Sequence, residues 1–154
     1  MTTATYETDF YQWTQQQADL LRQGALSAID VENLIEEIDD MGASNRRSLS
    51  SFLELVIMHL LKWQYQPQRR GTSWQTSISK GRNAIERTLE YSPSLNRQLP
   101  DMIVAEYRRA RKEASLETGL PLTMFPDQCP FTAEQITGDY WPDDVKRNHN
   151  PEKS

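Results

Sequence analysis

Four side chains in this sequence stand where acid–base or nucleophilic chemistry can be assembled: His59, Glu36, Glu37 and Glu117. His59 lies inside the nearly apolar run 52–61, one helical turn before Trp63 and close to Lys62. Burial and a neighbouring ammonium both disfavour an imidazolium, so such a ring stays neutral and can take a proton or a metal ion. The plainer alternative is a core histidine held by one hydrogen bond. Glu36 and Glu37 belong to an acidic cluster with Glu32, Asp39 and Asp40. Carboxylates on several helices can hold two metals in a bundle, but that arrangement uses a Glu-x-x-His motif on each of two helices. No such motif occurs here, and His59 and His149 are the only histidines. No metal and no cofactor is therefore expected, and the cluster reads as a solvated acidic face opposed to basic helices. Glu117 falls in line with Ile103, Ala110 and Ala114 at the end of a helix, where the macrodipole disfavours an anion by ~0.3–1 kcal/mol. It calls for a cation nearby. Arg82, Lys62 and His59 are the candidates, and the expectation is a buried polar network joining Glu117, Arg82 and His59. Such pairs specify packing more often than they catalyse.

A second constellation is suited to binding: Lys62, Trp63, Gln66, Arg69, Arg70, Trp74 and Arg82. Aromatic rings interleaved with arginines can stack bases and contact phosphates of a single strand. Trp63 and Trp74 also lie on apolar stripes, which favours packing into a core. Charge follows three blocks. Residues 1–45 carry one Arg and nine Asp/Glu, a net −8; residues 46–112 carry thirteen Lys/Arg and five Asp/Glu, a net +8; residues 113–154 carry a net −5. Either a basic surface awaits an anionic partner, or acidic and basic segments pack side by side and neutralise each other. The second is preferred, because the chain as a whole is acidic, at −5. Arg108, Arg109, Arg111 and Lys112 wind around their helix and do not line one face. The single Cys129 excludes an internal disulfide framework and a multi-cysteine metal site. No phosphate-binding glycine loop, nucleophile elbow or zinc-protease motif is present.

These residues must be positioned by helices. Apolar residues recur at helical spacing over 9–23, with Thr8 or Asp9 as N-cap and Gly24 as stop. Asp30 caps a second stripe of Val31, Leu34, Ile35, Ile38 and Met41. Gly42 either ends or merely interrupts that helix. The next stripe, Leu49, Phe52, Leu53, Val56, Leu60 and Trp63, covers more than half the circumference and marks a central helix. Residues 68–73 read as a polar loop, and Thr72 or Ser73 as the cap of a helix carrying Trp74, Ile78, Ile85 and Leu89. Gly81, beside that stripe, allows a neighbouring helix to come close. Pro93 opens a short turn, Pro100 starts a helix to about residue 118, and Gly119 stops it. The Pro-rich stretch after it reads as an extended strap anchored by Phe125, Pro126 and Phe131, and Thr132 with Gln135 as the capping box of a last short helix. No segment alternates with period two. The fold expected is all-α: a single-domain bundle of about five main helices over 1–142 with an irregular C-terminal strap, followed by a flexible tail over 143–154.

Several phrases occur together in this order: YETDFYQWT at 6–14, DVENLIEEI at 30–38, HLLKWQYQP at 59–67, SW at 73–74, PSL at 93–95, YRRARKEASLETGLP at 107–121 and FPDQCPFT at 125–132. In this combination the chain resembles the bacterial family classed as domain-of-unknown-function family twenty-nine, from Tyr6 to Pro142. The resemblance implies an all-helical bacterial protein, found especially in cyanobacteria, and carries over no reaction, cofactor or catalytic residue.

The longest apolar run is far shorter than the ~20 residues of a membrane span, and the N-terminus has neither the basic start nor the apolar core of a signal peptide. A cytoplasmic protein without membrane contact is expected. The function expected is a non-catalytic helical interaction or regulatory module whose partner is another protein. Nucleic-acid binding through 46–112, with Arg46, Arg47, Arg69, Arg70, Arg108 and Arg109, stands second. A metal-dependent or hydrolytic enzyme centred on His59 stands third.

Overall fold

The computed structural model describes residues 5–142. Five α-helices follow in order: α1 (Phe10–Arg22), α2 (Val31–Tyr65), α3 (Thr72–Tyr91), α4 (Leu99–Thr118) and α5 (Ala133–Thr137). Short 3-10 turns, Pro67–Arg69, Pro93–Gln98 and Leu122–Met124, lie between them, and no strand occurs among the described residues. The fold is an all-α bundle. Among the described residues no helix is long and apolar enough to cross a membrane. The tail expected over 143–154 lies outside the described residues.

The helices start and stop where local chemistry asks. The Asp9 carboxylate accepts from the Gln12 N–H at 3.0 Å and caps α1. Gly24 and Gly119 take the left-handed conformation that ends α1 and α4. Thr132 and Gln135 form the expected reciprocal capping box of α5. The alternative left open at Gly42 is decided, and the expected cap of α3 is corrected. The stripes on either side of Gly42 belong to one continuous helix, because a glycine costs a helix only ~1 kcal/mol and no proline or left-handed residue lies near it. The N-cap of α3 is Gly71, in extended backbone, and Thr72 is already the first helical residue.

The chain divides into two compact units, residues 1–44 and 45–154, with the division inside α2. The first unit contains α1 and the first part of α2. Trp13 and Gln17 are its buried side chains. Both meet Asp30: the Trp13 indole donates to its carboxylate at 3.1 Å, and the Gln17 carbonyl accepts from its N–H at 2.7 Å.

The second unit surrounds the rest of α2. Every residue from Val56 to Trp63 is buried, as the wide apolar arc requires. Ile78 and Ile85 of α3, Met102, Ile103, Tyr107, Ala110 and Ala114 of α4, and Ile136 of α5 complete the core. The strap is held as expected, with Phe125 and Phe131 buried in that core. Arg111 donates to the Phe125 carbonyl at 3.0 Å, and the Tyr107 hydroxyl donates to that of Pro126. Gly81 marks a close approach of α3 to α2: a Cβ there would stand 2.6 Å from Val56 Cγ2. Gly81→Ala gains ~1 kcal/mol of helix propensity but forces ~1–3 kcal/mol of overpacking. The expected outcome is a net loss of stability of about 1–2 kcal/mol, measured by urea unfolding of the variant against the parent.

Candidate functional site

The residues singled out from the sequence fall into both units. Glu36 and Glu37 are in the first; His59, Glu117 and the whole Lys62–Arg82 constellation are in the second.

In the second unit, α2 and α4 bring His59, Lys62 and Glu117 together. Lys62 is the cation that Glu117 receives, at 2.5 Å, with the lysine side chain 10% exposed and the glutamate 44%. The expected Glu117–Arg82 link is corrected. Arg82 instead donates to the carbonyls of Ile136 at 2.9 Å, Gln135 at 2.8 Å and Tyr140 at 2.6 Å. Its place on α3 faces α5 and the residues just after it, whose backbone carbonyls accept its hydrogen bonds, with the Asp139 carboxylate favouring its charge from nearby. Gln66 donates to the Thr118 carbonyl at 3.2 Å, one of the orphan acceptors at the end of α4. His59 is buried, and its Nδ1 donates to the Leu55 carbonyl at 2.8 Å. A carbonyl only accepts, so Nδ1 carries the hydrogen and Nε2 the lone pair. Burial foremost, then the Lys62 ammonium, holds its pKa below the usual histidine range, against the Leu55 carbonyl and Glu117.

The aromatic residues of the binding constellation are stacked with cations. Arg70 lies over the Trp63 ring at 5.1 Å, Trp63 meets Trp141 at 4.7 Å, and Arg82 lies over Trp141 at 5.6 Å. Lys62 stands 4.8 Å above Trp74. Arg70 also donates to the Trp63 carbonyl at 2.6 Å. Lys62, Trp63, Gln66 and Arg82 are buried in these contacts, while Arg69 is exposed. This stack joins the end of α2, α3 and the segment after α5.

The first unit is different. Its two helices carry a row of large apolar side chains at helical spacing that its own residues do not cover. Val31 is 52% exposed, Ile35 55%, Ile38 65% and Met41 71%, and on α1 Phe10 and Leu21 are also exposed. Of the Val31–Met41 stripe only Leu34 is sheltered, together with part of the α1 stripe. Between α1 and α2 runs a groove of about 410 Å³. Phe10, Leu21, Leu34, Ile38 and Met41 line it, with Thr14 and Ala18 giving it a shallow floor. Glu32, Glu36, Asp39 and Asp40 are exposed on the same stretch of α2. Glu37, at the groove, accepts from the Tyr6 hydroxyl, and this bond pushes the Tyr6 pKa up to about 12. The Tyr6 ring packs edge-on against Trp13 at 4.9 Å.

The family model described as Domain of unknown function DUF29 matches residues 5–141, nearly the whole chain. The chain belongs to this family. The resemblance drawn from the phrases at 6–14 through 125–132 is thereby borne out. No curated protein and no solved structure matches the chain. The matched span of this DUF29 chain includes the groove of the first unit and the cation–aromatic stack of the second.

Among the described residues of the DUF29 chain, no three His, Cys, Asp or Glu side chains gather as metal ligands would. Cys129 lines a half-open cavity of about 650 Å³ with Ile103, Val104, Tyr107 and Phe131. Burial raises its pKa, which suppresses the nucleophilic thiolate. The sequence reading missed two groups. Asp30 was taken only as a cap, yet it also ties Trp13 and Gln17. Its carboxyl is held below the ordinary range by the Asn33 amide first and the Trp13 indole second. Glu106 is buried on α4 beside the Glu54 region of α2, and burial and Glu106 together raise the Glu54 pKa. The signal was present: Leu99, Ile103, Glu106 and Ala110 are spaced as one helical face.

Two outcomes follow for the second unit. Glu117→Ala leaves the sheltered Lys62 ammonium without its anion and should cost about 1–2 kcal/mol, less than the ~3–5 kcal/mol of a fully buried pair. Lys62→Met should stay within about 1 kcal/mol of the parent; paired thermal and urea unfolding distinguish the two. His59 has a folded pKa below its unfolded value of 6.5. The unfolded chain therefore takes up the proton first, and this contribution to stability, present at neutral pH, is lost as pH falls below 6.5. His59→Gln should remove that part of the slope between pH 7.5 and 5.5, read from urea midpoints at each pH.

Proposed function

We propose that this chain is a non-catalytic helical interaction module, in which the first unit docks a positively charged segment of another protein. One observation carries the reading: the apolar row Val31, Ile35, Ile38 and Met41, with Phe10 and Leu21 opposite, stands open to solvent beside exposed carboxylates. Monomeric proteins rarely leave contiguous large apolar side chains uncovered, and such patches mark sites of association. The acidic balance of residues 1–45, a net −8, selects a basic partner and repels an acidic one. Against catalysis stand the internal partners already engaged by the most reactive groups. His59 is held by Leu55, Glu117 by Lys62, and the Cys129 thiol has a raised pKa.

The test is site-specific photo-crosslinking in the native host. A benzophenone side chain at position 38 should yield an adduct with a basic segment of a different protein, identified by peptide mass spectrometry. The same group at Leu116, exposed in the second unit, should not give that adduct. No adduct at position 38, or an adduct only with this chain itself, would overturn the reading.

A further inference from the structure

From the shape of the groove we infer that its occupant is a single amphipathic helix, apolar along one stripe and lysine- or arginine-rich beside it. This inference rests on the interaction-module reading and names the partner's form. The groove is bounded by two helices. On α1 its lining includes the row Phe10, Thr14, Ala18 and Leu21, beside Trp13 and Gln17; on α2 it includes Leu34, Ile38 and Met41, beside Glu37. Both sets repeat at three and four residues, so the walls are ridges of helix-packing type, into which the ridges of a third helix interdigitate. The small Thr14 and Ala18 leave room between the larger Phe10 and Leu21 for a bulky side chain.

An extended strand is a poor fit, because neither helix offers free backbone donors and acceptors along the groove to pair with it. Symmetric groove-to-groove pairing of two copies is disfavoured by charge, since each would bring its own −8 block against the other. A helix with basic residues flanking its apolar stripe turns one flank toward Glu32 and Asp39, the exposed carboxylates that follow Val31 and Ile35 around the α2 surface. Recognition then follows the helix-in-groove mode, with apolar anchors supplying affinity and charge supplying selectivity.

The experiment uses the purified full chain and dye-labelled peptides of about 18 residues, or five helical turns. One is a leucine–lysine peptide with leucines on one helical stripe. The second has the same composition scrambled to destroy the stripe, and the third replaces lysine by glutamate. Fluorescence anisotropy should show binding of the striped basic peptide, and circular dichroism should show that it becomes helical on the protein. The scrambled and the acidic peptides should bind at least about tenfold more weakly. Ile38→Glu should weaken the basic peptide by a similar factor, and raised salt should weaken it further. The charge reversal Glu32→Lys/Asp39→Lys should shift preference toward the acidic striped peptide, a gain that misfolding would not produce. Equal binding of the striped and scrambled peptides, or a basic peptide that stays unstructured when bound, would overturn the helix inference. So would a failure of all three peptides to bind. In each of these cases a position-38 adduct with a basic segment would leave the module reading standing, whereas loss of that adduct would sink both.

Discussion

A helix of 35 residues, roughly 50 Å long, with apolar side chains over much of its circumference must be surrounded by neighbours or leave part of that surface in water. The second unit answers this demand for the C-terminal part of α2. There α3, α4, the strap and α5 bury every residue from Val56 to Trp63. In the first unit, α1 is the one other helix, and it shelters little beyond Leu34 and its own Trp13 and Gln17. The same helix is therefore covered at one end and open to solvent at the other. Each fully buried Leu or Ile side chain is worth ~1.5–3 kcal/mol, and the uncovered row from Val31 to Met41 leaves that burial unrealised within the first unit.

Polar groups inside the second unit decide how the chain after α4 is held. Arg82 is the main tie: one buried guanidinium gathers the carbonyls of Gln135, Ile136 and Tyr140. The Arg70–Trp63–Trp141–Arg82 stack continues this attachment from the end of α2. Part of the positive charge of residues 46–112 is thus engaged within the unit, since Arg111 and Arg109 also meet Asp127 and Glu106. The result is a division of labour by charge. The second unit uses cations to hold itself together, and the first leaves Glu32, Glu36, Asp39 and Asp40 facing solvent.

Much of this was legible from residue spacing alone. The Asp9 and Asp30 ends, the left-handed Gly24 and Gly119, the Thr132–Gln135 box and the close approach at Gly81 all come from local chemistry, which a linear sequence records directly. The wide arc around Val56–Trp63 announced a central helix for the same reason. The resemblance to the family was legible too, because it depended on several phrases occurring together over the whole span.

What periodicity could not decide is which apolar stripe finds a partner. Leu53 and Ile38 look alike in sequence, each on a helical stripe of the same α2, yet one is fully buried and the other mostly exposed. Burial depends on what the rest of the chain brings alongside, and that is a property of three-dimensional packing. The partner of Glu117 was undecided for the same reason: Arg82, Lys62 and His59 were all within reach on paper. The packing of α2 against α4 chose Lys62, and the packing of α5 against α3 drew Arg82 to backbone carbonyls. Sequence alone determined the helices, their ends and their apolar faces, because these follow from interactions over a few residues. Tertiary structure alone decided which faces are spent on the core and which remain open, because that depends on contacts between residues far apart along the chain.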